Sequence, residues 1–474
     1  MPFVFYDTET TGKHTSFDQI LQFGAIRTND DLEIEDSTND VINVRCRRLP
    51  HVVPSPKALQ VTHTACRALD EARLSHYEMM REILGRLNNW APAIFLGYNS
   101  IKFDEPLLRQ AFFQNLLPVY RTNTHGCCRG DLMLMAQAAA AYSPADIIIP
   151  IGDKGNQVFK LGMVVRANGI DFDEEDAHDA LNDVKATIEL ARLIKRKAPV
   201  VWSTMIRNTR KHEANTFLAN NDVFCLTNFF FGKQHTEIAT MAGRNPDNSS
   251  EIATFDLSNS PTAYLKLTVE GLIGILAQSP KIIRVVKTNS QPTLMSFASR
   301  PPATKAPWLG DDLYRQRAHM IKDNKGFQER VSAALKGRRD DAEASPYVEG
   351  QIYDGFPTDG DESLQAEYHQ IPWSKRPELC RQFSDKRLRE LGLRLVYVEH
   401  PEVLSYKDRE RMNRWLAERL LNESEVPWTT VFRALIDLED MKLTAISAEE
   451  RRQCKEIENY LHGIAGTFDA AAGA

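Results

Sequence analysis

Near its N-terminus the chain runs from Phe3, Val4 and Phe5 straight into Asp7 and Glu9, and this stretch constrains the fold more than any other. An unbroken apolar run predicts a strand covered on both faces. Residues i and i+2 of a strand share a side, so both carboxylates face one spot at the strand's end. They repel one another there unless positive charge lies between them, and a hard divalent cation with oxygen ligands is the natural candidate. Acidic pairs at strand ends also occur as solvated turns, so a metal reading needs further acids.

The chain supplies them. AIFLGYN (93–99) reads as a second buried strand and SIKFDEPLLRQAFFQN (100–115) leads from it into a helix. Asp104 therefore stands at a strand-to-helix junction, either as an N-cap or as a ligand. In AHDALNDVKATIELARLIKRK (177–197), Ala180, Val184, Ile188, Ala191 and Ile194 recur at helical spacing. Lys195, Arg196 and Lys197 fall in the last turn, where the helix dipole favours cations. His178 stands at the mouth of this helix and Asp183 in its first turns; a lone histidine there is ordinarily a cap or a core residue.

Together, Asp7, Glu9, Asp104 and Asp183 suit two-metal phosphodiester cleavage, in which two Mg²⁺ about 4 Å apart clamp the attacking and leaving oxygens. Mg²⁺ takes few protein carboxylates and completes its octahedron with water and phosphate, so four acids can hold two ions. His178, with an ordinary pKa of about 6.5, suits proton abstraction from water near neutral pH.

The remaining pattern sets the organisation. ILQFGAIRT (20–28) and DVINVRCR (40–47) read as strands whose short connections favour antiparallel pairing. SHYEMMREILGRLNNW (75–90) is an amphipathic helix. A further helix, GDLMLMAQAAAAY (130–142), stands behind a capping Asp131. Residues 157–170 read as a helix-like or mixed segment closing on Asn168-Gly169. The character changes over 198–215. From 222 to about 300, short apolar runs (VFCLTNFFF, EIATFDL, AYLKLTV, KIIRVVK) alternate with turns, which predicts a small barrel or sandwich. Helical spacing resumes over 311–338, a turn-rich segment near 345 marks another boundary, and charged amphipathic helices fill 363–468. The limits drawn are thus 1–198, 199–345 and 346–474, in keeping with roughly 150 residues per domain.

A net charge of −6 neither advertises nor excludes a nucleic-acid binder. Seven cysteines, odd in number and without a C-x-x-C pair, suggest free thiols in a reducing compartment. The opening strand leaves no room for a signal peptide, no apolar stretch approaches a membrane span, and the cytoplasm is the expected location.

DTETTG (7–12), NSIKFD (99–104) and HDALND (178–183) resemble the three ordered motifs of the DEDDh 3′→5′ exonucleases. AIRT (25–28), LGYNSIKFDE (96–105), ANGI (167–170), YDGF (353–356) and DKRLREL (385–391) extend the resemblance to the bacterial exodeoxyribonuclease I family over almost the full length. The resemblance implies an α/β protein: an RNase H-like mixed-sheet exonuclease domain, a small SH3-like β-barrel domain and an α-helical C-terminal domain. It implies Mg²⁺-dependent 3′→5′ degradation of single-stranded DNA to 5′-mononucleotides, in repair and recombination, with Mn²⁺ as a substitute. By the same resemblance, Asp7 would bridge two metals, Glu9 and Asp183 would complete the water-activating site, and Asp104 would hold the second metal. His178 would be the general base, and Glu9 would also meet the terminal 3′-hydroxyl. The implied partners are single-stranded DNA with a free 3′ end and single-strand DNA-binding protein, the chain acting as a monomer. RNA trimming by the same motifs, and a catalytically dead strand-binding scaffold, are the alternatives.

Two departures stand out. The family usually has arginine followed by Leu-Glu-His where this chain has Lys160, Leu161, Gly162 and Met163; lysine keeps the charge for a phosphate contact but loses the bidentate fork. Glu399 lies in a stretch that is usually arginine-rich. Arg129, Lys102, Arg207, Arg210, Lys211, Arg284 and Lys287, with Phe103, Phe229, Phe230 and Trp202, form the collective pool for backbone and base contacts.

Overall fold

A computed structural model describes residues 1–62, 64–172, 179–301, 307–338 and 345–472. The expected opening strand, β1 (Phe3–Thr10), lies at the centre of a five-stranded sheet. β2 (Ile20–Thr28) pairs antiparallel on one side of β1 and carries β3 (Val41–Arg45) outside it. β4 (Ile94–Gly97) and β5 (Cys128–Asp131) run parallel on the other side, giving the order β3-β2-β1-β4-β5. This is the mixed sheet expected of the first domain. Because β1 and β4 are parallel, their C-terminal ends open at the same edge.

Helices cover both faces, which is why β1 needs apolar residues on both sides. One layer packs Val4, Tyr6 and Phe95 against the helices His76–Trp90 and Asp104–Gln114. Ser75 starts the first of these with a reciprocal capping box to Glu78. The other layer packs Phe3, Phe5 and Leu96 against Leu132–Tyr142 and Ala180–Lys197.

The second sheet is antiparallel throughout, in the order β10-β6-β7-β8-β9: β6 (Phe224–Phe230), β7 (Lys233–Arg244), β8 (Glu251–Asp256), β9 (Ile283–Lys287) and β10 (Thr293–Ser296). One expected strand is absent. AYLKLTV forms turns leading into the helix Val269–Ala277, whose first turn Thr268 caps by accepting from the Gly271 N–H at 3.3 Å. Tyr264, Leu265 and Leu267 still pack on the core, so their alternation reports burial and not a strand.

The two sheets share one hydrophobic core, which spans Phe3 and Phe5 as well as Cys225, Ile238, Phe255 and Tyr314. The helix Pro199–Arg207, where composition suggested a boundary, is part of that joint: Trp202 is buried with its ring 5.7 Å from Phe3.

The C-terminal region is helical, including Lys386–Glu399, Tyr406–Leu421, Val431–Thr444 and Ala448–Ala472. It clasps the first domain through two clusters, one containing Tyr77, Phe113 and Leu391, the other Leu21, Leu59, Val431 and Leu461. Among the described residues, no helix is long and apolar enough to cross a membrane.

Candidate active site

Asp7 and Glu9 lie near the end of β1, opposite Gly24 and Gln22 of β2. Gly24 brings the third acid within reach. A Cβ there would come to 2.6 Å from the Leu181 nitrogen and 2.7 Å from the Ala180 carbonyl carbon, so only glycine lets the helix Ala180–Lys197 lie directly on the strand. Gln22 then pins the helix start: its Nε2 donates to Asp179 Oδ2 at 2.8 Å, and Arg45 donates to the same oxygen at 2.9 Å. Asp179 in turn caps the helix, accepting from the Leu181 N–H at 3.1 Å. One turn on, Asp183 offers a carboxylate oxygen that lies, with one each from Asp7 and Glu9, in a group within 4.8 Å of one another.

Asp104 arrives from the other side of β1. It is buried at the first turn of Asp104–Gln114 and accepts from Thr8 Oγ1 at 2.6 Å. The loop that delivers it is tightly bound. A Cβ on Gly97 would sit 2.8 Å from the Tyr6 carbonyl oxygen, and Asn99 takes the left-handed backbone region at φ 63°. Asp131 holds the loop by accepting from the Asn99 N–H at 2.8 Å, while also capping the helix that follows β5.

Burial lifts Asp7 well above the usual carboxylate range, and repulsion from Asp104, Glu9 and Asp183 adds to it. Burial, then Asp183 and Asp104, push Glu9 up to about 9. Asp104 is raised to about 7 by burial, against the opposing hydrogen bond from Thr8. Among the described residues, no lysine or arginine is paired with Asp7, Glu9 or Asp104. Arg45, held by Asp179, offsets only part of the charge on Glu9, and converging hard oxygen donors of this kind fit a divalent cation.

Of the four acids singled out from sequence, Asp7, Glu9 and Asp183 meet within 4.8 Å, and Asp104 lies near enough for its charge to act on Asp7 and Glu9 without joining that group. His178 lies outside the described residues. Lys160 is exposed at the start of the helix Leu161–Ala167. It follows Phe159, whose carbonyl accepts from the Tyr98 hydroxyl at 2.8 Å, next to the end of β4.

Much of the suggested strand-contact pool is engaged inside the fold. Arg129 pairs with Glu105 at 3.3 Å, Arg284 forks onto Glu237 at 2.7 and 3.1 Å, and Arg207 lies 4.4 Å over the Phe217 ring. Trp202 is spent on the core. Lys102, Arg210 and Lys287 are exposed. Glu399 packs beside Ser75: burial raises its pKa against a hydrogen bond with that serine, and among the described residues its buried Oε1 has no hydrogen-bond partner.

Gln22, Gly24 and Thr8 were not singled out from sequence, although a glutamine inside the apolar run ILQFGAIRT is a signal that a buried amide serves a distant group.

A family model described as "Exonuclease" matches residues 4–191, and one described as "Exonuclease I C-terminal domain" matches residues 346–464. Exodeoxyribonuclease I of Haemophilus influenzae is 28% identical over 407 residues, covering 82% of this chain and 84% of that protein. Its namesake from Escherichia coli is 26% identical over 440 residues, covering 88% and 89%. The crystal structure of E. coli exonuclease I in complex with a dA16 oligonucleotide shares the fold, with a TM-score of 0.83 at 22% identity over 98% of this chain and 99% of that one.

Proposed function

Because the chain belongs to the exodeoxyribonuclease I family, we propose that it is a 3′→5′ exonuclease that degrades single-stranded DNA to 5′-mononucleotides. The observation that carries this reading is the meeting of Asp7, Glu9 and Asp183 oxygens within 4.8 Å at the open end of the sheet. A relative held with a dA16 oligonucleotide supports the substrate class.

Two Mg²⁺ ions, with Mn²⁺ as a substitute, would supply the positive charge that offsets the phosphate and the departing oxygen. In our reading Asp7, Glu9 and Asp183 would hold the ions with Asp104 beside them, Asp7 being the acid that would serve both. His178 takes the proton from the attacking water. Attack at phosphorus breaks the bond to the 3′-oxygen of the preceding nucleotide, which leaves a new 3′-hydroxyl on the strand and a 5′-monophosphate on the released nucleotide. Glu9 lies against the terminal 3′-hydroxyl, which favours a free 3′ end. Lys160 faces a phosphate as a point charge.

The same reading keeps the limits 1–198, 199–345 and 346–474, and takes the second sheet as a variant of the SH3-like barrel. It assigns the chain to repair and recombination in the cytoplasm, as a monomer that meets single-strand DNA-binding protein.

The test is digestion of 5′-labelled single-stranded DNA, duplex DNA and RNA of matched sequence, with Mg²⁺ and with chelator. Single-stranded DNA should shorten stepwise from its 3′ end in Mg²⁺ only. Faster loss of the RNA would reassign the chain to RNA trimming, and no loss of any strand would leave a binding scaffold.

A further inference from the structure

Resting on the single-strand reading above, we infer that Phe231, at the tip of the β6–β7 hairpin, is a base-stacking contact for the strand leading into the acid cluster. Phe230 pairs with Lys233, so Phe231 and Gly232 alone make the turn. Both have positive φ, 51° and 72°. Such turns favour Asn-Gly, because a bulky side chain at the first position is forced into the left-handed region. Turn chemistry therefore does not account for a phenylalanine. Packing does not account for it either: Phe231 is 94% exposed and Phe230 beside it 44%.

The tip is nevertheless fixed in place. The Gln157 N–H donates to the Gly232 carbonyl at 3.2 Å, and a Cβ on Gly232 would lie 2.1 Å from the Gln157 carbonyl oxygen. Two residues on, the Phe159 ring meets Phe229 edge-on at 5.2 Å, and its carbonyl accepts from the Tyr98 hydroxyl at 2.8 Å. Tyr98 directly follows β4, whose C-terminal end opens beside that of β1. A short, packed ladder thus ties the exposed ring to the edge of the sheet that carries Asp7 and Glu9.

Two lysines can meet a phosphate backbone here: Lys233 opens the strand that leaves the tip and Lys160 follows the tether by three residues, and both are exposed. Arg284 is held by Glu237 and lies 5.7 Å over the Phe230 ring, so it serves to fix that ring. Open aromatic faces among cations are what a sequence-tolerant single-strand contact requires.

Phe231→Gly and Phe231→Asn retain residues that the turn prefers, so thermal stability should equal or exceed that of the parent. Affinity for a dT16 oligonucleotide in chelator should fall about tenfold, and KM for a long strand should rise similarly with a much smaller change in kcat. Phe231→Trp should restore binding. In the parent protein, a 5-iododeoxyuridine oligonucleotide should photocrosslink at Phe231. Unchanged affinity and KM in both turn-compatible variants, with no crosslink at the tip, would overturn the inference and leave the ring to another occupant. Were the parent protein to digest no single strand at all, the functional reading would fail first; normal digestion by parent and variants alike removes only the role of Phe231.

Discussion

Asp104 and Glu105 are adjacent at one helix start, both are buried, and the fold treats them in opposite ways. Glu105 is surrounded by donors: Arg109 at 2.8 Å, Thr122 at 2.6 Å, the Tyr6 hydroxyl at 3.1 Å and Arg129 at 3.3 Å. Asp104 has the Thr8 hydroxyl on one side and the charges of Asp7 and Glu9 nearby. The chain spends two arginines on the carboxylate that holds the helix. Among the described residues it pairs none with Asp104, whose neighbours include the acids Asp7 and Glu9. Acids placed together are costly unless positive charge offsets them, and that cost fits a cluster that takes up a cation.

The largest effect is expected at Asp7. Asp7→Ala should abolish hydrolysis while leaving strand binding in chelator nearly intact; hydrolysis at the parent rate would remove the cluster from the mechanism. The next largest effect is on the structural side. Glu105→Gln leaves Arg109 and Arg129 as buried cations without an ionised partner, and should lower stability by about 3–5 kcal/mol, read by denaturant unfolding. A loss confined to activity would mean that Glu105 belongs with the metal acids.

A smaller change sharpens the boundary between the two carboxylates. Thr8→Val keeps the shape but removes the one hydroxyl that orients Asp104, and should reduce activity or metal affinity by about 10–100-fold without a comparable drop in stability. A melting temperature that falls as far as in the Glu105 variant would show that Thr8 serves the fold.

The acids should also mark the pH dependence of stability. A carboxyl whose pKa is raised on folding favours the folded state below its ordinary value of about 4 and loses that contribution as pH rises through the folded value. For Asp104 and Glu9 the folded values are about 7 and about 9. In chelator, the melting temperature should therefore decline as pH rises toward 9, and Mg²⁺ should raise it most at the alkaline end.

The chemistry was more legible in the sequence than the scaffolding was. Asp7 and Glu9 could be read because strand alternation is local and their burial follows from the run before them. Asp104 and Asp183 followed from junctions between elements, which composition marks well. The support from Gln22, Gly24 and Thr8 depends on which helix crosses which strand, and that is fixed only by packing. The same limit explains AYLKLTV, where a capping threonine and a turn overrode an alternating pattern. It explains Trp202 too, an aromatic that the joint between the sheets consumed.

Acids raised by burial and mutual repulsion should give up protons when divalent cations supply the missing charge. Calorimetric titration with Mg²⁺ near about pH 7.5, in two buffers of different ionisation enthalpy, tests it directly. The parent protein should bind the cation and release protons to the buffer, and Asp7→Ala should do neither with comparable strength. Cation binding with no proton release, or release that persists unchanged in the Asp7 variant, would contradict the account.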